Sequence, residues 1–142
     1  MKILIAVDGS THSLDAMTAL VERASWFRHT PELTLLHAQP PIPYKAAAAW
    51  AGHDAVARYY AEESDAALAD AVKLLTGRGV AFAVEKCVGE PADEIIHRAE
   101  AAKFDLVVMG TRGHTALGNL LLGSVASKVL ARSRVPVLFL KK

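Results

Sequence analysis

Short apolar runs alternate along this chain with segments whose apolar residues recur every three or four positions. The runs predict buried strands, because strands covered on both faces are apolar throughout, and the longer spacing predicts helices with one buried face. The predicted strands are Ile3 to Val7, Leu33 to Ala38, Val80 to Val88, Leu106 to Met109 and Val135 to Leu140. The predicted helices run from about residue 12 to 28, from about Asp54 to Thr76, from Pro91 through Ile95, Ile96 and Ala99, and onward from Ser124.

Between the second strand and the second helix, prolines at positions 40, 41 and 43 rule out further strand, because proline lacks the amide that a ladder needs. A mobile loop is expected from there to about Gly52. On the helix that follows, the side chains expected to face inward are Val56, Tyr60, Ser64, Ala67, Ala71 and Leu74.

Five strands alternating with four helices predict an α/β fold with a parallel sheet, helices on both of its faces and right-handed crossovers. In such folds a ligand sits beyond the carboxyl ends of the strands, where the winding direction reverses. The 142 residues fit a single domain. The apolar pattern by itself leaves the order of the strands open.

Composition and charge narrow the class of partner. Apolar residues make up 52 % of the chain and charged residues 22 %, with a net charge of +1. A balance of this kind gives no reason to expect a nucleic acid or an anionic membrane surface as a partner. Cys87 has no second cysteine to pair with, and Asp8 interrupts the apolar start before it resembles a signal peptide, so a cytoplasmic location is expected.

A glycine signature stands between the fourth strand and the last helix. Gly110 and Gly113 are separated by two residues, and nine further residues lead to Gly123 and Ser124. Glycines let an anion approach the backbone closely, and the first amides of a helix are unpaired and partly positive. The spacing therefore predicts a phosphate cradle; the alternative is that these glycines only punctuate turns and helix ends.

Other common site chemistries find little support in the sequence. The P-loop lysine is missing, and there is no G-x-G-x-x-G fingerprint. The six histidines include no pair at helical ligand spacing, so a metal site is not expected. A hydrolase triad is not favoured either, because no G-x-S-x-G elbow occurs.

The signature resembles the G-x2-G-x9-G-[ST] ATP-binding signature of the universal stress protein family. The same family is resembled by the segments at 5–10, 35–38, 88–91 and 135–138, so the resemblance spans 1–142 as one universal stress protein domain. It implies a Rossmann-like, adenine nucleotide alpha hydrolase-like fold with strand order 3-2-1-4-5. It also implies a homodimer built on the last strand, Val135 to Leu140.

The resemblance to the ATP-binding branch also implies the site. The positions that match are Ala6, Val7, Asp8, Ala38, Met109, Gly110, Arg112, Gly113, Gly123, Ser124 and Val125. Asp8 would lie by the sugar and Ala38 by the base, and the residues around Arg112 and the last two glycines would hold the phosphates of ATP, with Mg²⁺ carried on them.

Four of these residues could instead have a purely structural role. Asp8 can cap the first helix, Ser124 can be an N-cap, Arg112 can be a solvated loop charge and Ala38 a core residue. Leucines between His114 and Leu122 predict a loop packed over the nucleotide.

The sequence leaves more than one class of function open. One is an ATP-binding stress-response module without enzymatic activity; another is a slow ATPase or phosphotransferase that uses the same crevice. No lysine clamp, paired acidic metal ligands or evident general base support the enzyme. A dimeric domain with an empty crevice is a third class, and AMP or ADP could replace ATP as the resident ligand.

Overall fold

The computed structural model describes residues 1–113 and 122–141, with the backbone alone at 44–51. Its strands are β1 Lys2–Ala6, β2 Glu32–Gln39, β3 Phe82–Val88, β4 Leu106–Gly110 and β5 Val137–Leu140. Its helices are α1 Thr11–Glu22, α2 Tyr44–Gly77, α3 Pro91–Ala101 and α4 Ser124–Arg132, with a 3-10 turn at Ala24–Trp26.

The strands form one parallel sheet in the order β3-β2-β1-β4-β5, which confirms the predicted fold class and strand order. The central strand β1 pairs with β2 on one side and with β4 on the other. The winding direction therefore reverses between β1 and β4, and a crevice opens there beyond their carboxyl ends.

Alternate residues of β1 belong to two different cores. Ile3 and Ile5 pack with α1 and α2 on one face of the sheet, whereas Leu4 packs with α3 and α4 on the other. All three side chains are fully buried. Because successive side chains of a strand point to opposite faces, the unbroken apolar run of β1 is what a sheet covered on both sides requires.

The first helix ends earlier than its periodicity predicts. It stops at Glu22, and the amide of Arg23 donates to the carbonyl of Leu20 at 3.1 Å, which tightens the last turn. Phe27 packs against the α1 and α2 core from an extended backbone with φ −103° and ψ 129°. The predicted continuation to residue 28 is therefore wrong, because an extended segment fills the core position that looked helical.

The second helix begins earlier than predicted. Helical backbone starts at Tyr44, where the sequence predicted a loop, and Gly52 interrupts it with φ 77° and ψ 167°. Four alanines at 46–49 explain the error, since alanine has the highest helix propensity. Beyond Gly52 the predicted inward face is correct, with Ser64 and Ala71 buried.

The predicted loop over the nucleotide falls largely on residues 114–121, which lie outside the described residues. Leu122, just after them, packs against the α3 and α4 core.

Candidate functional site

A cleft of about 840 Å³ opens at the carboxyl ends of β1, β2 and β4. Its volume lies within the range of small-molecule and cofactor sites. All eleven predicted site residues line it: Ala6, Val7, Asp8, Ala38, Met109, Gly110, Arg112, Gly113, Gly123, Ser124 and Val125. The fold thus brings together residues that are more than a hundred positions apart in the chain.

Asp8 organises the turn that follows β1. Its Oδ1 accepts the amide of Ser10 at 3.0 Å and the hydroxyl of Ser10 at 2.5 Å. The Oγ of Ser10 in turn accepts the amide of Ser13 at 3.2 Å, so Ser10 is the N-cap of α1. The capping role considered for Asp8 is therefore indirect, and its second oxygen, Oδ2, lies against Gly113 across the cleft.

The N-terminus of α4 supplies the polar end of the cleft. Its first backbone bond runs from the amide of Ser127 to the carbonyl of Gly123 at 2.9 Å, and no side chain caps the helix. The amides of the first three helical residues, Ser124 to Ala126, therefore precede the first backbone bond of the helix, and all three residues line the cleft. Gly123 is the N-cap, so the N-cap role considered for Ser124 is wrong. The arrangement presents partial positive charge to whatever occupies this end.

A backbone hydrogen bond joins the two sides of the glycine signature. The amide of Gly123 donates to the carbonyl of Thr111 at 2.7 Å. Arg112, half-buried beside it, lines the same end of the cleft. An anion held here would meet both helix amides and a cation.

Close contacts occur at two of the three glycines of the signature. At Gly110 a Cβ would lie 2.6 Å from the carbonyl oxygen of His12, and at Gly113 it would collide with Asp8 Oδ2. At Gly123 the nearest atom, the Cα of Arg112, is 3.4 Å away, which is an ordinary contact. Gly110 is the last residue of β4, and positive φ in the described chain occurs at Gly9, Gly52, Gly79 and Lys103. Close approach, rather than turn conformation, therefore accounts for Gly110 and Gly113.

His37 links the ends of β1 and β2 on the floor of the cleft. The ring is buried, and its Nδ1 lies 2.8 Å from the carbonyl oxygen of Val7. Because a carbonyl only accepts, Nδ1 carries the hydrogen. His37 is thus a core residue that also lines the cleft.

The sequence analysis missed the far end of the cleft. The side-chain amide of Gln39 donates from Nε2 to the carbonyl of Tyr60 and to Oγ of Ser64, both at 2.8 Å. The hydroxyl oxygen of Tyr60 accepts the amide of Ile42 at 2.7 Å. These bonds fasten the segment 39–43 to α2. The only signal in the sequence was the inward position of Tyr60 and Ser64, which did not reveal what their polar atoms hold.

Cys87 lies on β3 beside the cleft floor. Partial burial, with the nearby charge and hydrogen bond of Glu94, raises the pKa of its thiol to about 11. Its Sγ is 3.8 Å from the carbonyl oxygen of His37. At neutral pH the side chain is therefore a thiol that packs, and not a reactive thiolate.

Two further searches were confined to the described residues. No three histidine, cysteine, aspartate or glutamate side chains there are grouped so that they could hold a metal ion. In the same part of the chain, no helix has the length and apolar character needed to cross a membrane.

Comparison with known proteins assigns the family. Residues 1–141 match the model of the universal stress protein family. Universal stress protein MJ0531 of Methanocaldococcus jannaschii is 36 % identical over 141 residues, which cover 99 % of this chain and 82 % of that protein.

Two solved structures are similar over nearly their whole length. The structure of MJ0577, also from Methanocaldococcus jannaschii, has a TM-score of 0.81 at 29 % identity and covers 99 % of this chain and 95 % of that one. A universal stress protein in complex with cAMP has a TM-score of 0.59 at 28 % identity, with coverage of 99 % and 95 %. By its sequence match and its fold, this chain belongs to the universal stress protein family.

Proposed function

We propose that this protein binds ATP, as its magnesium complex, in the cleft at the ends of β1, β2 and β4. The observation that carries the proposal is the end of α4, where three amides precede the first helical bond and line the cleft together with Arg112. Phosphate groups match such a site, because they accept several charge-assisted hydrogen bonds at once. Mg²⁺ would be carried by the phosphates.

The neighbouring geometry suits the rest of a nucleotide. The Oδ2 of Asp8 lies beside Gly113 in the cleft, where a ribose hydroxyl can donate to it. The small side chain of Ala38 and the apolar side chain of Met109 border the remaining space, as a flat base requires. The eleven residues named from the sequence therefore form one proposed binding set.

A few bonds of this kind suffice for useful affinity. Hydrogen bonds to charged groups contribute about 1.5–3 kcal/mol each, and association itself costs at least about 4 kcal/mol. Several such bonds, with the burial of a base, give a dissociation constant on the order of micromolar.

The ligand class is supported by a relative. The universal stress protein bound to cAMP, 28 % identical to this chain, holds an adenylate. We infer that the present cleft takes the same class, and we choose ATP within it because Gly110, Gly113, Gly123 and Ser124 line the cleft and their spacing resembles the ATP-binding signature.

We infer binding rather than catalysis. The acidic side chains among the described lining residues are Asp8 and Glu63, and the Oδ1 of Asp8 is already engaged by Ser10. In the proposed complex the remaining oxygen of Asp8, Oδ2, accepts from the ribose and so is not available as a base. A single-turnover assay with labelled ATP tests this inference, and turnover faster than about one per minute would establish an ATPase instead.

Within the cell we propose a regulatory or sensor role in the stress response, exercised in the cytoplasm, with nucleotide occupancy changing the stability of the protein or its partners. Thermal unfolding with and without nucleotide tests the binding on which this role depends. At ATP concentrations 100 to 1,000 times the dissociation constant, the expected stabilisation is about 2.7–4.1 kcal/mol. An unchanged midpoint at millimolar magnesium-ATP would contradict the proposal.

We also propose a homodimer through β5. This strand is an edge of the sheet, and Val107 donates its amide to the carbonyl of Pro136 on it at 2.9 Å. In a parallel ladder Leu138 then bonds back to Val107, so the amides of Val137 and Phe139 point away from β4. A second copy, antiparallel across a two-fold axis, would pair those groups and cover the half-exposed side chains.

A further inference from the structure

Helix α4 has few apolar contacts with which to hold its place beside the sheet. It spans nine residues, and its buried side chains are Ala126 and Val129, with Val125 partly buried against the same core. Its N-cap is Gly123, so no side chain fastens the first turn. Apolar burial is not directional, and it specifies the covered face of a helix better than its position along its own axis. The axial position of α4 therefore depends on other contacts as well.

Two ion pairs join α4 to α3. Nζ of Lys128 lies 2.8 Å from Oε1 of Glu90, and Nη1 of Arg132 lies 2.6 Å from Oδ1 of Asp93. The cations are four residues apart and the carboxylates three, so each set occupies one face of its helix. We call these contacts the α3–α4 ion pairs. A slide of α4 by one residue, about 1.5 Å, would disturb both pairs at once and would have to be followed by all four side chains.

The α3–α4 ion pairs are too exposed to contribute much to the stability of the fold. Their side chains keep 46–56 % of their surface open to solvent. Pairs of this kind change an equilibrium by only a few-fold each, because water competes for both charges. We therefore expect their effect on the axial position of a short helix, where a few-fold change in population is enough to matter.

The axial position of α4 matters because its first turn lines the cleft. Ser124, Val125 and Ala126 all line it, and their amides precede the first backbone bond of the helix. The paired cations lie in the second half of α4, so this first turn extends beyond them. An amide and its acceptor must lie within about 2.7–3.2 Å of each other. A slide on the order of 1 Å would therefore misplace these amides for an anion held by the rest of the cleft.

We infer that the α3–α4 ion pairs hold α4 at the axial position where its first amides meet the phosphates of a bound nucleotide. This inference rests on the proposed function, since it concerns the phosphate end of the same cleft. Glu90, Asp93, Lys128 and Arg132 act as positioning residues, and none of the four lines the cleft. Without the pairs, α4 spends part of its time at positions that do not bind, and the apparent dissociation constant rises by the inverse of the competent fraction.

The test removes the carboxylates rather than the cations. Glu90→Gln combined with Asp93→Asn breaks both pairs and also removes two negative charges near α4. Calorimetry with magnesium-ATP on the full chain is expected to show about three- to tenfold weaker binding. If these charges acted on the phosphates only through space, the same change would strengthen binding. Asp65→Asn, which breaks the 2.5 Å pair with Lys86 of β3, is the matched control and should keep the wild-type affinity.

A charge exchange supplies the rescue. Lys128→Glu alone repels Glu90 and is expected to weaken ATP binding, whereas Glu90→Lys combined with Lys128→Glu restores a pair of reversed direction. The exchanged protein is expected to bind ATP within about twofold of the wild type. An exchanged protein that bound as weakly as Lys128→Glu would contradict positioning by the pair.

The remaining outcomes separate this inference from the proposed function. If the doubly neutralised protein were folded by circular dichroism and bound ATP as tightly as the wild type, or more tightly, the positioning role would be overturned and the ATP site would stand. No ATP binding by the wild type would overturn both. Should the doubly neutralised protein not fold, Glu90→Gln alone is the second test, with binding about two- to threefold weaker expected and unchanged binding overturning the inference.

Discussion

Gly110→Ala tests the claim that Gly110 is required by close packing. The added Cβ would lie 2.6 Å from the carbonyl oxygen of His12, 2.8 Å from its carbonyl carbon and 3.2 Å from the amide nitrogen of Ser13. These are backbone atoms at the start of α1, so no side chain can rotate to make room. The helix or the strand must shift by several tenths of an ångström.

The expected cost follows from the rigidity of both partners. Gly110 pairs in register with Leu140 of β5, and the start of α1 is fixed by the Ser10 cap. Overpacking of this kind costs about 1–3 kcal/mol, which for a domain of this length lowers the unfolding midpoint by about 3–10 °C. Thermal and urea unfolding followed by far-ultraviolet circular dichroism measure both quantities.

Gly77→Ala is the matched control. A Cβ at Gly77 has no neighbour within 4 Å, and the residue ends α2. The change is expected to be neutral or to stabilise by about 0.4–1 kcal/mol, through the unfolded state. If Gly110→Ala proved as stable as Gly77→Ala, the packing account of the signature would be refuted.

The remaining predictions concern the thiol and the subunit contact. Because the pKa of Cys87 is raised to about 11, alkylation at pH 8.5 should be about a hundredfold slower in the native than in the unfolded protein, and equal rates would contradict the burial argument. The same shift implies that stability is fully present below the unfolded pKa near 8.5–9 and falls as the pH rises towards 11, which urea titrations across that window would show. Light scattering should report a dimer for the native chain and a monomer for Val137→Pro, which removes an outward amide of β5; a variant that stayed dimeric would exclude this assembly.

Much of the fold followed from the sequence because parallel strands covered on both faces leave a strong apolar signal. Strand β1 and the inward face of α2 are examples. The ends of helices were less predictable: Phe27 reaches the core from extended backbone, and its spacing imitated another helical turn. Helix formation ahead of Gly52 depends on alanine propensity, which competed with a nearby cluster of prolines.

The candidate site, like the fold, could be predicted from the sequence only in part. The signature glycines were predicted from their spacing and Asp8 from the family resemblance, and the structure places them around one cleft. The bonds between Gln39, Tyr60 and Ser64 were not predictable, because they join residues more than twenty positions apart through side-chain atoms whose direction no periodicity encodes. The distance between Gly113 and Asp8 belongs to the same class, since only the assembled sheet brings the two turns together.

Calorimetric titration of magnesium-ATP into the wild-type chain and into Gly113→Ala tests the proposed nucleotide site most directly. A Cβ at position 113 would meet Oδ2 of Asp8 and narrow the space between the sugar and phosphate positions, while Gly77→Ala leaves the cleft untouched. The predicted result is a dissociation constant on the order of micromolar for the wild type and the control, and binding at least about tenfold weaker for Gly113→Ala. No binding heat from the wild type at two temperatures, or equal affinity in all three proteins, would contradict the proposed site.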